Sequence, residues 1–506
     1  MEKLSYFSID DVSLPYRHNV FLTITKPDIR KEGVLKPGPA GSTDDMGACF
    51  YGTVLHDGGK YRMWYYACHQ GKNPDYPPKM MQQVAKPPGY YEGETDFFQG
   101  PLCYAESEDG IKWTKPDLSQ YLFKGTVHNN ALLLPHAIVS GASVIKDEED
   151  PDPKRRYKMV YQYFPDQSDP VIEEFGTSPT VATAVSPDGI VWTVTGMPFI
   201  NQFVEHCSFM KHDGKYIIHY HVMGDWGHMS EGGAQSGRTG VARISTDFDF
   251  WPDVWVDTFA LAEPQDHKLR GMKTEYDQVH LGVGAASMGN VSIGIYGLWH
   301  NADFDTFSKI SCDLGIVISN DGIHFREPVK GYVYIHRNES PSPDVPGFKI
   351  NTNLCQGNGI LNVGNQTLVY HGRWRNAGEH YESETNNLFS SEVALATLPL
   401  DRWGSISLIP GKDRGVVYSC LTELGGNERI SLNADGLQNM EVCLLDENFR
   451  QIPGYCGALN AAGSSFDAPV VWKNGLSGLR GKKVYIQVSM KRGEPEPKLY
   501  AIYVKR

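Results

Sequence analysis

Basic residues are the minority charge in this chain. Lys and Arg number 47 against 60 Asp and Glu, a formal net charge of −13. Nucleic-acid binding needs a basic surface, so that class of partner is disfavoured. No apolar run approaches the length needed to cross a membrane. The N-terminus, MEKLSYFSIDDVSLPYR, has no apolar h-region, so no secretory signal is visible. A cytoplasmic protein is therefore expected, or a periplasmic or secreted one if the chain is trimmed. The nine cysteines are odd in number and show no CxxC and no regular spacing. That predicts no disulfide framework and a reducing compartment. Helical periodicity is absent throughout, and no HxxxH or HExxH pair suggests a zinc helix.

What is present points to β-structure. Gly (52), Pro (31) and Tyr (27) suit a turn-rich chain, and 41% hydrophobic with 21% charged residues suits a globular one. One short pattern recurs. Ser107-Glu108-Asp109-Gly110-Ile111-Lys112-Trp113, Ser186-Pro187-Asp188-Gly189-Ile190-Val191-Trp192 and Ser319-Asn320-Asp321-Gly322-Ile323-His324-Phe325 are full copies. Ser245 to Trp251 and Thr397 to Trp403 are degraded ones. The five copies start at 107, 186, 245, 319 and 397, so they are 79, 59, 74 and 78 residues apart. Self-similarity at a roughly constant step indicates a ring or array. Upstream of each copy lies an aromatic-rich strand, as in Tyr61-Arg62-Met63-Trp64-Tyr65-Tyr66 and Thr367-Leu368-Val369-Tyr370-His371. His56-Asp57-Gly58-Gly59-Lys60 and Lys211-His212-Asp213-Gly214-Lys215 have hairpin-turn chemistry before them.

Each unit reads as four antiparallel strands, a propeller blade. The expected fold is all-β, a five-bladed β-propeller over 45–403 followed by a β-sandwich over 404–506. A Pro-rich segment, 1–44, wraps the ring. The Asp-Gly turn is scaffold: Asp-Gly supplies the positive-φ position of a tight turn, and the aromatic packs between blades.

Chemistry is then sought where the inner strands begin, at one mouth of the central channel. Carboxylates precede or open three of these strands: Asp44 and Asp45 in blade 1, Glu205 in blade 3 and Asp277 in blade 4. Blade 2 offers only His136, Ser140 and Ser143, and blade 5 only Asn353, Gln356 and Asn358. Glycoside cleavage needs such a set, an acid for the leaving oxygen and a second carboxylate as nucleophile or base. Against this stands the reading of solvated rim acids and turn caps. Candidate sugar contacts are His136, His206, Trp226, His280, His300, His371 and Arg373. Aromatic faces stack on sugar C–H surfaces, and arginine contacts hydroxyls or carboxylates. His219 and His221 alternate on one strand and share a face. Satisfied strand histidines are the plainer reading of that pair. No cofactor is expected, and a single divalent ion held in the channel is compatible with the chain.

These features together resemble the five-bladed propeller glycoside hydrolases, families 32, 43, 68, 117 and 130. The two-domain layout is most similar to family 32. In that family the blade 1 nucleophile lies in a W-x-N-D-P-N-G motif, matched here by the Asp in Ser42-Thr43-Asp44-Asp45-Met46-Gly47. The blade 3 acid/base lies in a Glu-Cys-Pro motif, to which Glu205-His206-Cys207 is similar. The blade 2 Arg-Asp-Pro motif has no counterpart near Ser140-Gly141-Ala142-Ser143. The resemblance implies a glycosidase releasing a terminal sugar from an oligosaccharide or glycoside. Glu205 would be the general acid, Asp45 (or Asp44) the nucleophile or base, and Asp277 would tune the acid. A non-catalytic carbohydrate-binding propeller and a protein-interaction ring are the alternatives. Carbohydrate is the expected partner, and a homo-oligomer is compatible with the chain.

Overall fold

A computed structural model describes residues 3–71, 73–75, 97–136, 138–163, 180–196, 204–223, 238–258, 278–300, 311–347, 350–375, 389–459 and 461–506. For 97–99, 204–207, 221–223, 238–239, 255, 278–281 and 299–300, within strands, only the backbone is described. The protein is all-β. The described helical segments are three short 3₁₀ turns, Pro153–Arg155, Leu437–Asn439 and Leu476–Leu479.

The described strands from Asp28–Ile29 to Ser390–Pro399 form a five-bladed β-propeller. Its inner strands are Gly47–Asp57, Val139–Lys146, Val204–His212, Gln278–Ser287, and in blade 5 the interrupted pair Thr352–Cys355 and Ile360–Val363. Each continues by a hairpin into a second strand: Lys60–Gln70, Tyr157–Tyr163, Lys215–Met223, Ser292–His300 and Gln366–Arg375. These second strands lie between neighbouring blades, so both faces are covered. Tyr157–Tyr163 is buried at every residue, and its continuous apolar and aromatic character follows from that.

The repeated turn does more than reverse the chain. In blade 2 the Gly189 N–H donates to Ser186 Oγ (2.8 Å), and Asp188 Oδ1 accepts from the N–H groups of Ile190 and Val191 (2.9 Å each). Trp192 Nε1 closes the turn on the Gly189 carbonyl (3.1 Å). Blade 1 repeats this with Ser107, Asp109 and Trp113. The same glycine carbonyl also accepts a hydrogen bond from the preceding blade. Trp64 Nε1 of blade 1 donates to Gly189 O (2.8 Å), Tyr370 Oη of blade 5 to Gly110 O (2.8 Å), and His219 Nε2 of blade 3 to Gly322 O (2.9 Å). The motif is an inter-blade clasp.

Two features depart from the sequence reading. Blade 5 takes its fourth strand from the N-terminus: Asp28–Ile29 pairs with Ser390–Pro399. The segment before it is built into the C-terminal unit. Lys3–Phe7 pairs with Lys498–Lys505, Tyr16–His18 with Arg414–Tyr418, and Val20–Ile24 with Gly404–Leu408. The two groups of strands in that unit close over one apolar cluster, with Ile430, Leu432 and Ile502 from one group and Val442, Ile486 and Val488 from the other, as a β-sandwich does. A second correction concerns cysteine. Cys443 and Cys456 face each other on adjacent strands and form a disulfide. Cross-strand register, invisible in sequence spacing, creates that pair, and it removes the cysteine argument for a reducing compartment.

The central channel is closed at mid-height. Val54 N–H donates to Asn358 O and Asn358 N–H to Gly52 O, both at 2.9 Å, joining blades 1 and 5. Ser208 Oγ donates to Val283 O (2.6 Å), Gln356 Nε2 to Gly282 O (2.5 Å) and Asn358 Nδ2 to Phe209 O (2.7 Å). Backbones meet so closely that a Cβ on Gly284 would lie 2.4 Å from Gly357 O. Below this throat lies a cavity of about 380 Å³ lined from all five blades, including Asp57, Lys146, Lys211 and Ser287. Above it lie the starts of the inner strands.

Candidate active site at the upper mouth of the channel

The inner strands begin at Gly47, Val139, Val204, Gln278 and Thr352. Asp45 stands two residues before the first, Glu205 is the second residue of the third, and Asp277 immediately precedes the fourth. Asp277 itself lies outside the described residues, as does Trp226. The side chains of Glu205, His206, His280 and His300 also lie outside the description, but their backbones do not. Glu205 pairs with His221, His280 with Gly297, and His300 with Ser311, each toward the upper end of its strand.

Asp44 and Asp45 have different surroundings. Asp44 is 1% exposed. Its Oδ2 accepts from Lys115 Nζ (2.5 Å) and Tyr65 Oη (2.8 Å), and Oδ1 from Ser42 Oγ (3.2 Å). Asn130 Nδ2 donates in turn to Tyr65 Oη (2.8 Å). Burial, then the neighbouring Asp44 charge, pushes the Tyr65 hydroxyl well up, so it stays protonated and donates. Asp44 is an ion-paired core group, which takes it out of the role of nucleophile. Asp45 is half-buried. Its oxygens accept one backbone N–H each, from Gln70 (2.8 Å) and Gly41 (2.7 Å). Those bonds orient the carboxylate and leave lone pairs on both oxygens.

Two of the expected sugar contacts are in the core of blade 5. His371 is fully buried, with Nε2 2.8 Å from Ser340 Oγ; burial, then the nearby Arg373 charge, lowers its pKa to about 3. Arg373 is 1% exposed. It donates to Ser340 Oγ (2.7 Å), the carbonyls of Lys31 (2.7 Å) and Arg30 (2.6 Å), and Glu392 Oε1 (3.2 Å). It pins the N-terminal segment to the blade and has no side for a substrate. Alternation along the strand decides this: Arg373 opposes Leu354, while Trp374 opposes Asn353 on the other face. His136 is half-buried, 2.8 Å from Tyr161 Oη and stacked on Tyr163 at 3.6 Å. His219 is the satisfied strand histidine, between Ser208 Oγ (2.9 Å) and the Gly322 carbonyl.

The face that carries Trp374 holds groups the sequence reading did not assemble. Trp374 meets Tyr51 at 5.3 Å and Tyr66 at 6.0 Å, over a buried patch containing Cys49, Cys68 and Cys355. The Cys49 and Cys68 sulfurs lie 3.4 Å apart. Burial, then the adjoining Cys49 thiol, raises the Cys68 pKa well above its usual value. Among the described residues, the buried polar atoms without a hydrogen-bond partner include Ser140 Oγ in blade 2, and Asn353 Oδ1 and Trp374 Nε1 in blade 5. Orphaned buried groups are uncommon and ask for a ligand or water. These three sit on the two blades without an acid. Lys115 and Asn130, which lock Asp44, carry no motif that could have revealed them. Among the described residues, the one cluster close enough to hold a metal is Glu441 with Cys443 and Cys456, and the disulfide occupies two of its three ligands.

No protein-family model and no curated protein matches the chain. Solved structures with a similar course include a β-1,2-mannobiose phosphorylase from Listeria innocua, at 12% identity and TM-score 0.44, over 76% of this chain and 97% of that one. A family 117 glycoside hydrolase from Zobellia galactanivorans aligns at 13% and 0.39, over 75% and 90%. A family 43 arabinoxylan arabinofuranohydrolase from Bacillus subtilis aligns at 10% and 0.36, over 94% and 99%. Likenesses this remote transfer no residue and no activity to the chain.

Proposed function

We propose that the protein is a glycosidase that releases a terminal sugar from an oligosaccharide or glycoside at the upper mouth of the channel. The observation that supports this is positional. Asp45, Glu205 and Asp277 fall within two residues of the starts of three inner strands, above a throat closed by backbone contacts. A channel closed below the strand starts admits the end of a chain rather than its middle. Glu205 is assigned as general acid and Asp45 as nucleophile or base. Asp277 raises and orients the acid by like-charge proximity. His136, His280, His300 and Trp226 are assigned to the sugar, with the orphaned Ser140, Asn353 and Trp374 groups as hydroxyl partners on the acid-free blades. Blade 2 lacks a third carboxylate, so the stabilising charge comes from blade 4.

A non-catalytic carbohydrate-binding ring is the competing reading. The two backbone N–H bonds on Asp45 favour it, because they make this carboxylate a structural strut as well. Turnover of a panel of aryl pyranosides and furanosides separates the two. Glu205→Gln and Asp45→Asn should each lower kcat by at least about a hundredfold. Unchanged turnover in both variants refutes the assignment, and saccharide binding without turnover in the wild type establishes the competing reading.

A further inference from the structure

The C-terminal unit carries a cluster of four rings on the outer face of one sheet. Phe449 stacks on Tyr485 with centroids 4.1 Å apart and planes 11° apart. Tyr16 meets both rings edge-on at 5.4 and 6.0 Å, and Tyr418 meets Phe449 at 5.9 Å. They come from three strands and one turn, and strand alternation turns Tyr485 outward while Val484 and Ile486 enter the core. Tyr16 is 46% and Phe449 44% exposed.

Phe449 is held there against its backbone preference. Its φ is +60°, a left-handed conformation that glycine or asparagine adopts at less cost. Asp446 maintains it, its Oδ1 accepting from Asn448 and Arg450 N–H at 2.9 Å each. Stacking on Tyr485 offsets part of that strain, yet the ring stays 44% exposed; strain of this kind gathers at functional sites. The residues that flank Phe449 and precede Tyr485 in the chain, Asp446, Glu447, Arg450, Lys482 and Lys483, line in part a cleft of about 570 Å³.

We propose that this surface binds a neutral, β-linked polysaccharide, remote from the channel. Flat C–H faces of pyranose rings lie on aromatic rings, and hydroxyls take both donors and acceptors, which the mixed-charge cleft offers. The area argues against a protein partner. Two half-exposed rings present on the order of 200 Å², whereas a stable interface buries about 800 Å² on each side. The proposal is independent of the channel chemistry and stands if the channel proves inert.

Affinity gel electrophoresis of the full chain in soluble β-1,4-xylan, β-1,4-mannan and hydroxyethyl cellulose tests it. At least one polymer should retard the protein, and Phe449→Gly and Tyr16→Ala should each weaken retardation about tenfold. Phe449→Gly is the informative variant, because glycine accepts the left-handed turn and preserves the fold while the ring is lost. Absence of retardation in all three polymers overturns the proposal, as does equal retardation of wild type and Phe449→Gly. Loss of retardation in Glu205→Gln alone would place the binding in the channel and also overturn it. A sedimentation shift from dimer to monomer in Phe449→Gly, with no polymer effect, would make the patch an interface between copies instead.

Discussion

Asp44 and Asp45 are chain neighbours with opposite surroundings. One carboxylate is sealed beneath a lysine, a tyrosine and a serine; the other reaches the rim on two backbone bonds. Their order in the sequence carries no sign of the difference, because the deciding partner, Lys115, is 71 residues away. Removing one partner of a buried ion pair leaves an uncompensated charge. Asp44→Asn is therefore expected to cost about 3 kcal/mol of stability, seen as a lowered urea midpoint, with Lys115→Met in the same chain restoring part of it. Stability unchanged by Asp44→Asn would return this residue to the list of functional acids. Histidines show the same dependence on surroundings: His371 and His219 were legible as a chemical signal, yet burial makes both of them scaffold.

At the scale of elements, the Ser-x-Asp-Gly-x-x-Trp turn was legible as a turn, and its three full copies set the phase of the blades. Its second role, accepting a hydrogen bond from the blade before, needed tertiary contact to appear. The role predicts unequal costs for one substitution. Gly58 and Gly189 both have positive φ, +61° and +77°. A Cβ at Gly58 meets nothing within 4 Å, whereas at Gly189 it lies 2.8 Å from Trp64. Gly58→Ala should cost about 1 kcal/mol from backbone strain alone. Gly189→Ala should cost about 3 kcal/mol, strain plus the displaced tryptophan. Chemical denaturation of the two variants measures the gap, and equal costs would mean that Trp64 yields freely and the clasp is slack.

At the scale of the whole molecule, the propeller and the C-terminal unit share residues. One buried cluster joins Phe7, Ile9, Ala501 and Tyr503 to Ile293, Leu314 and Val369 of blades 4 and 5. The two parts are expected to unfold in a single calorimetric transition, and two resolved transitions would refute that coupling. Its position should depend on pH with a definite sign. Burial lowers the pKa of His371 to about 3 and those of His219 and His69 to about 4. In the unfolded chain these rings take up protons near the ordinary value of 6.5, while the folded protein refuses them until pH 4 or below. Stability present above pH 6.5 is thus lost as pH falls toward 4, at on the order of 1 kcal/mol per pH unit for each ring. His219→Gln should flatten the slope between pH 6.5 and 5; an unchanged slope would show that the ring is protonated in the fold.

By itself the sequence determined what local chemistry determines: all-β character, five repeats, their phase, and hence which strand ends bear acids. Turn residues act within a few positions, and strand composition reports how much of each strand is covered, so both are written in the chain. The tertiary structure alone decided the rest. An N-terminal strand completes blade 5, Cys443 meets Cys456, Arg373 points inward while Trp374 points to the other face, and backbones from four blades close the channel. Each of these depends on register or on partners distant in sequence. A shift of one residue in register reverses every side chain on a strand, and periodicity has no means of recording it.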